Sequence, residues 1–516
     1  MKKRLLGLML TLGIALSVPA YSSEADQVLQ EEVASTSDRF WKGFAWGSLA
    51  TAGLITAGLM LKHYLFREYN VLRWNWDQIN VNDLHFPENF KFGVSTSSYQ
   101  VEGGCTTNQW CEHECTTTDE NGDLRMPEAS GDACDHWNRY REDVQLIKNI
   151  NATAYRFSVE WSKIQPALGV WDEDALQHYV DVCEELIANG IAPVVTMVHY
   201  TIPQWFADMG GFENEENIQY FVAYAEKLFE VLGDRVELWL TFNSPSGYAL
   251  PAYQQGTKPP YQKDMQLAVV VLKNVCEAHV RAYQAIKVME GGDQAQIGIM
   301  KNVYQLDPVN LIGRVPASIG SSLTNQCMYD FFRDGEFRVR IPFKVNFTHN
   351  NPEAPNSLDF VGLNYYSHAQ VKGFSISPFD EDEIMTANGR YTIYAEGLYR
   401  ALHEINEQIV AGRLIPIYVT ENGISPAQED HRRIFLEQYL YALSRAIQDG
   451  VDVRGYFHWS LMDNYEWGTY DQRFGLYHVD FDSPDKTRTL KPSAQHFVDV
   501  AGRYADGGLR LEEDEL

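Results

Sequence analysis

Glu421 stands in Tyr418-Val-Thr-Glu-Asn-Gly423, directly after Ile415-Pro-Ile417. The β-branched apolar run predicts a buried strand, and Asn422-Gly423 is a strong turn signal. A carboxylate at the C-terminal end of a buried strand is costly unless it is paired or does chemistry. Alone, it reads equally well as a satisfied carboxylate capping the next segment. Other strand ends carry matching chemistry: Ser98-Tyr-Gln100-Val-Glu102, Arg156 with Glu160-Trp161, His199-Tyr200, Asn243-Ser-Pro245, Asn364-Tyr-Tyr366, His458-Trp-Ser460 and Asp463-Asn-Tyr-Glu-Trp467. Amides, imidazole, guanidinium, carboxylates and Trp faces on one rim are the inventory for binding hydroxyls and reacting at a sugar.

Such a rim needs elements to present it. Eight strands are predicted, at 91–95, 154–159, 192–198, 237–241, 296–301, 359–363, 415–420 and 453–459. Amphipathic stretches between and after them predict helices at 139–150, 173–189, 215–232, 267–290, 397–409, 429–449 and 493–505, with a shorter one near 325–333. This βα alternation is an α/β pattern that predicts a single closed (β/α)8 TIM barrel. Such barrels carry their active sites at the C-terminal ends of the strands, where these residues fall.

The chain has 516 residues, 45% hydrophobic and 13% aromatic, enough for a large core. A net charge of −28 argues against nucleic acid as a partner. Residues 1–20 read as a signal-like segment, with Lys2-Lys-Arg4 before an apolar stretch and Val18-Pro-Ala20 as a cleavage site. A polar linker, 21–43, leads to an uncharged run at 44–61 that is long enough to span a bilayer and rich in small residues. This predicts a transmembrane helix over 44–62, then a linker at 63–83, the barrel domain at 84–505 and an acidic tail at 506–516. Basic residues flanking the run are few, so the side of the membrane does not follow from them. Cys105, Cys111, Cys115 and Cys134 could form one or two disulfides in an oxidising compartment. Their spacing, even with His113 and His136, matches no standard zinc pattern, so no metal is expected.

The barrel region resembles the family 1 glycoside hydrolases, the retaining β-glucosidase family. The matching motifs are Tyr99-Gln-Val-Glu-Gly103, Ala133-Cys-Asp-His136, Tyr155-Arg-Phe-Ser158, Thr241-Phe-Asn243, Asp359-Phe-Val-Gly-Leu-Asn-Tyr-Tyr366, Thr420-Glu-Asn-Gly423, Trp459-Ser-Leu461 and Arg473-Phe-Gly-Leu476. The resemblance implies that Glu421 is the nucleophile, held by Arg156 and Tyr366. It implies that Gln100, His199, Asn243, Glu466 and Trp467 bind the sugar hydroxyls and that Trp459 forms the sugar platform. No cofactor is implied, and the implied partner is a β-glycoside or glycolipid.

One departure bears on the chemistry. The family reads Asn-Glu-Pro at the end of strand four, its Glu serving as general acid and base; this chain reads Asn243-Ser244-Pro245. Retaining hydrolysis uses two carboxyl groups roughly 5–5.5 Å apart, and acid–base assistance contributes about 10²- to 10⁴-fold. Tyr200, where many members carry Trp, is a second departure. The expectation is a retaining β-glycosidase-like protein acting through Glu421, with hydrolysis impaired at Ser244. Alternatives are a transglycosylase and a membrane-tethered, inactive sugar-binding protein. A substitute acid could come from the 105–134 loop, through Glu112, His113, Glu114 or Glu128; a solvated loop is the plainer reading.

Overall fold

The computed structural model describes residues 71–104, 107–377, 383–387 and 389–505. The signal-like segment, the polar linker, the span expected at 44–62, residues 63–70 of the linker that follows, Cys105 and the acidic tail lie outside the described residues. Among the described residues no helix is long and apolar enough to cross a membrane.

Eight strands form a closed barrel: β1 (Lys91–Ser95), β2 (Ala154–Ser158), β3 (Ala192–Val198), β4 (Leu238–Phe242), β5 (Gln296–Asn302), β6 (Phe360–Asn364), β7 (Ile417–Asn422) and β8 (Val453–Trp459). They pair in sequence order, all parallel, and β8 closes on β1. Strands covered on both faces must be apolar almost throughout, which is why they read as continuous runs. Val194, Leu238, Leu240, Met300, Phe360, Tyr418 and Phe457 are among the side chains that fill the barrel. The larger core lies outside it, under helices such as Glu173–Ala188, Ile218–Leu232, Met265–Lys287 and Glu429–Gln448.

The expected strands all form. Those at 91–95, 192–198 and 453–459 keep their bounds; the others start or end one or two residues away. The helix expected from 397 begins at Ala395 and ends at Ile405, passing into a π-helical turn, Asn406–Val410. The short helix near 325–333 is a broken run, Arg314–Ser321 and Cys327–Asp334 with a π turn between them. Extra strands decorate the barrel: a hairpin of Glu336–Ile341 with Val345–Asn350, and a small sheet of Gln305–Pro308, His368–Lys372 and Ser375–Ser377.

Residues 71–83, read from sequence as part of a linker, lie strapped onto the barrel. Leu72 O accepts from Tyr394 Oη at 2.9 Å, Arg73 pairs with Glu383 at 2.6 Å and Trp74 N donates to Glu396 at 2.8 Å. Trp74 and Trp76 pack edge-on against Tyr441. Cys115 and Cys134 carry no disulfide among the described residues, and Cys134 is buried. Among the described residues no three His, Cys, Asp or Glu side chains converge to hold a metal. His136 pairs instead with Asp143 at 2.8 Å.

Candidate active site

The register of β7 slips against both neighbours between Val419 and Asn422. A bulge of this kind re-aims a side chain, and here it falls on Glu421. The turn that follows depends on Gly423 for a reason other than φ: a Cβ there would lie 1.7 Å from the Trp459 carbonyl oxygen. The chain after the nucleophile candidate is therefore pressed against the end of β8.

Glu421 is 5% exposed and held at both oxygens. Arg156 Nη1 donates to Oε1 at 2.6 Å, and the Tyr366 hydroxyl donates to Oε2 at 2.8 Å. Burial, followed by the Glu421 charge, pushes the Tyr366 hydroxyl far above its ordinary range, so it keeps its proton and stays a donor. Arg156, fully buried on β2, also donates to Thr196 Oγ1, to the Thr420 carbonyl and to Asn243 Oδ1, at 3.0, 3.0 and 3.1 Å. A buried guanidinium is tolerable only when its donors are used in this way.

The remaining expected residues join the same network. Asn243 Nδ2 lies 2.8 Å from His199 Nε2. Burial first, then Arg156 and Lys258, hold the His199 imidazole well below its ordinary range, so it is neutral. Its ring faces Trp459 and Trp467, with centroids at 5.6 and 6.0 Å. Trp459 Nε1 donates to Glu466 Oε1 at 3.0 Å, and the Gln100 amide, which donates to Asn464 at 2.9 Å, lies close by. Burial pushes the Glu466 carboxyl up to about 7, against the opposing pull of Trp459 and Gln100. Asparagine, imidazole, carboxylate and glutamine around a Trp face match the hydroxyl pattern of one sugar ring.

Ser244 follows β4 at φ 42°, capping the short helix Pro245–Ala249. Its hydroxyl accepts from Asn364 Nδ2 at 3.2 Å, and the same amide donates to Asn243 Oδ1 at 2.7 Å. The Tyr200 hydroxyl lies beside Ser244. The side chains of Tyr200 and Ser244 close round Gly247, where a Cβ would meet Tyr200 Oη at 2.6 Å and Ser244 Cβ at 3.2 Å. Ser244 and Tyr200, the two positions expected from sequence to depart from the family pattern, are therefore neighbours. Tyr200 and Trp467, like Ser244, sit at positive φ, 69° and 55°. Non-glycine residues held in that region often mark functional sites.

Some strand-end residues serve elsewhere. His458 was counted with the rim, but its buried ring turns outward, toward Phe435 and Phe497; the period-two alternation of β8 sends it away from Trp459. The loop acids are also occupied or exposed: Glu114 accepts from Tyr99 Oη, Glu128 from Tyr470 N, and Glu112 faces solvent. Glu160 is 1% exposed and accepts from Ser98, Asn108, Ser162 and Thr201. It ties the turn carrying Gln100 to the segment after His199-Tyr200.

Two features had no sequence signal. Tyr391 stacks on Tyr366 at 5.6 Å. Lys258 lies in Thr257-Lys-Pro-Pro260, which reads only as a turn. Its ammonium sits 4.5 Å from the Tyr200 ring centroid, 5.3 Å from that of Trp467 and 5.7 Å from that of Trp110.

Comparison with known proteins agrees with this geometry. The family model described as glycosyl hydrolase family 1 matches residues 82–505. The chain is 32% identical to beta-glucosidase A of Thermotoga maritima over 451 residues, 81% of this chain and 98% of that protein. Among solved structures, a beta-glycosidase from Pyrococcus horikoshii superposes with a TM-score of 0.73 at 35% identity, covering 83% of this chain and 96% of that one. The beta-glucosidase from Thermotoga maritima in complex with deoxynojirimycin gives 0.71 at 31% identity, covering 83% and 100%.

Proposed function

Since the chain belongs to glycosyl hydrolase family 1, we propose that it acts on β-glycosides by a retaining route through Glu421, with Ser244 leaving the acid–base step unassisted. The observation that carries this reading is the Glu421 carboxylate, fixed by Arg156 and Tyr366 at 2.6 and 2.8 Å. A carboxylate held at both oxygens is preorganised to attack an anomeric carbon. Glu421 attacks, the bond from the anomeric carbon to the leaving oxygen breaks, and that oxygen takes the electron pair. Arg156 and Tyr366 release part of their hold as the glycosyl ester forms. His199, Asn243, Gln100 and Glu466 hold the sugar hydroxyls over Trp459. Water then attacks the same carbon and frees Glu421, its proton passing to solvent.

Neither Ser244 nor Tyr200 is an acid at neutral pH. Burial first of all, with the Glu421 charge adding to it, drives the Tyr200 hydroxyl up from its ordinary value. Good leaving groups are therefore the substrates this site handles best. The lack of a base beside Ser244 also favours interception of the glycosyl-enzyme by a second sugar, the transglycosylase reading. Incubation with 2,4-dinitrophenyl 2-deoxy-2-fluoro-β-glucoside tests the proposal. A covalent adduct on the peptide containing Glu421 is expected. A folded protein that binds the probe but forms no adduct is instead the sugar-binding protein without turnover.

Residues 44–61 are the proposed membrane tether, on the strength of their uncharged sequence. The full chain should resist carbonate extraction, whereas a chain starting at Asn70 should be released. Extraction of both removes the tether.

A further inference from the structure

Lys258 belongs to no catalytic pattern, and its surroundings are unusual for a lysine. It is half-buried, and among the described residues no carboxylate pairs with its ammonium and no acceptor takes its hydrogens. Three aromatic rings surround the ammonium instead, those of Tyr200, Trp467 and Trp110. Tyr200 and Ser244 both close on Gly247, so the cation, 4.5 Å from the Tyr200 ring, lies one residue away from the place where a leaving group departs without an acid. Arg390 is near enough for its charge to bear on Lys258, against attraction from Glu466 and Glu421. Aromatic faces partly compensate a cation that has lost water. They leave its hydrogen-bond donors free for a ligand.

We propose that Lys258 is the specificity-determining residue on the leaving-group side, selecting β-glycosides whose aglycone carries a negative charge or departs as an oxyanion. This deepens the β-glycosidase reading and rests on it. As Glu421 attacks, the electron pair of the breaking bond moves onto the leaving oxygen, and the ammonium stabilises that charge in place. No proton is needed when the product is a carboxylate, a phosphate or a phenolate. The same ammonium holds an aglycone whose carboxylate lies further from the bond. Burial lowers the Lys258 ammonium to about 8, still above neutrality, so the cation is present at pH 7.

The full-length protein is compared with Lys258→Met, which keeps the length of the side chain, and Lys258→Arg, which keeps its charge. Two substrates with leaving phenols of similar acidity are used, 4-nitrophenyl β-glucoside and its 3-carboxy derivative. The wild type should prefer the carboxylated substrate in kcat/KM. In Lys258→Met that preference should fall about tenfold or more, the size of a charged hydrogen bond, and Lys258→Arg should retain most of it. Equal losses on both substrates, or no preference in the wild type, overturn the inference. If neither substrate turns over, the glycosidase reading fails, and titration calorimetry with the same two glucosides decides separately. Tighter binding of the carboxylated glucoside, abolished in Lys258→Met, supports the role of Lys258; equal binding overturns it. Matching thermal midpoints exclude misfolding.

Discussion

Replacing Ser244 with glutamate puts a carboxyl group at the strand end where an acid–base residue is expected. The backbone there already accepts a non-glycine side chain at φ 42°, so Glu adds no new backbone strain. Two local losses temper the gain. The 3.2 Å bond from Asn364 to the Ser244 hydroxyl disappears, and the Tyr200 hydroxyl, which lies beside Ser244, must move aside for a longer side chain. General acid–base catalysis supplies about 10²- to 10⁴-fold, and the crowding points to the low end. That is about 2.7 kcal/mol off the barrier at about 1.36 kcal/mol per factor of ten. The assay is kcat/KM on methyl β-glucoside and cellobiose, whose leaving groups need a proton, beside 2,4-dinitrophenyl β-glucoside, whose leaving group does not. Ser244→Glu should gain about 100-fold on the first two and little on the third, with a new acid limb in the pH profile. Ser244→Gln, of the same size without the proton, should gain nothing. Equal gains for Gln and Glu, or none for Glu in a folded protein, refute the reasoning.

Tyr366→Phe removes the donor at 2.8 Å from Glu421 Oε2. Single-turnover glycosylation should slow about 10- to 100-fold, the loss of one hydrogen bond to a charged group. The Glu466 carboxyl, raised to about 7 by burial, accepts sugar hydroxyls best when ionised. A neutral inhibitor such as gluconolactone should therefore bind about tenfold more weakly at pH 6 than at pH 8, and Glu466→Gln should flatten that dependence. For stability the sign is opposite. A carboxyl raised in the folded state holds its proton longer than the unfolded chain does, so its contribution is lost as pH rises from its ordinary value through 7. Glu160→Gln can keep an acceptor for the Asn108 amide, which only donates at 3.3 Å, and for Ser162, but it puts an NH2 donor where the Ser98 and Thr201 hydroxyls now donate, so both lose their acceptor. It should cost about 1–3 kcal/mol of stability, read as a lower unfolding midpoint.

The barrel was legible because parallel strands buried on both faces must be apolar runs, and each ended in residues that would be costly there without a task. Glu421, Arg156 and Tyr366 were therefore visible in sequence, and they meet in space. His458 was miscounted because a strand-end position does not say which face a side chain takes. The hairpin Glu336–Ile341/Val345–Asn350 was missed because its outward residues are polar and its period is short. Lys258 gave no signal, since its placement depends on a turn in Thr257-Lys-Pro-Pro260 and on rings from three distant segments. The contact between Tyr200 and Ser244 joins positions 44 residues apart that the chain order kept separate.

The central claim is that Glu421 forms a glycosyl-enzyme beside a strand end with no base. Turnover of 2,4-dinitrophenyl β-glucoside in the presence of sodium azide tests both halves at once, with the sugar product identified by NMR. Azide is a nucleophile that needs no deprotonation, so it does not require the base missing at Ser244. The account predicts faster turnover as azide rises and a glucosyl azide of β configuration, the result of two inversions through Glu421. Unchanged rates with glucose as the sole product contradict it, and an α-azide excludes Glu421 as the nucleophile.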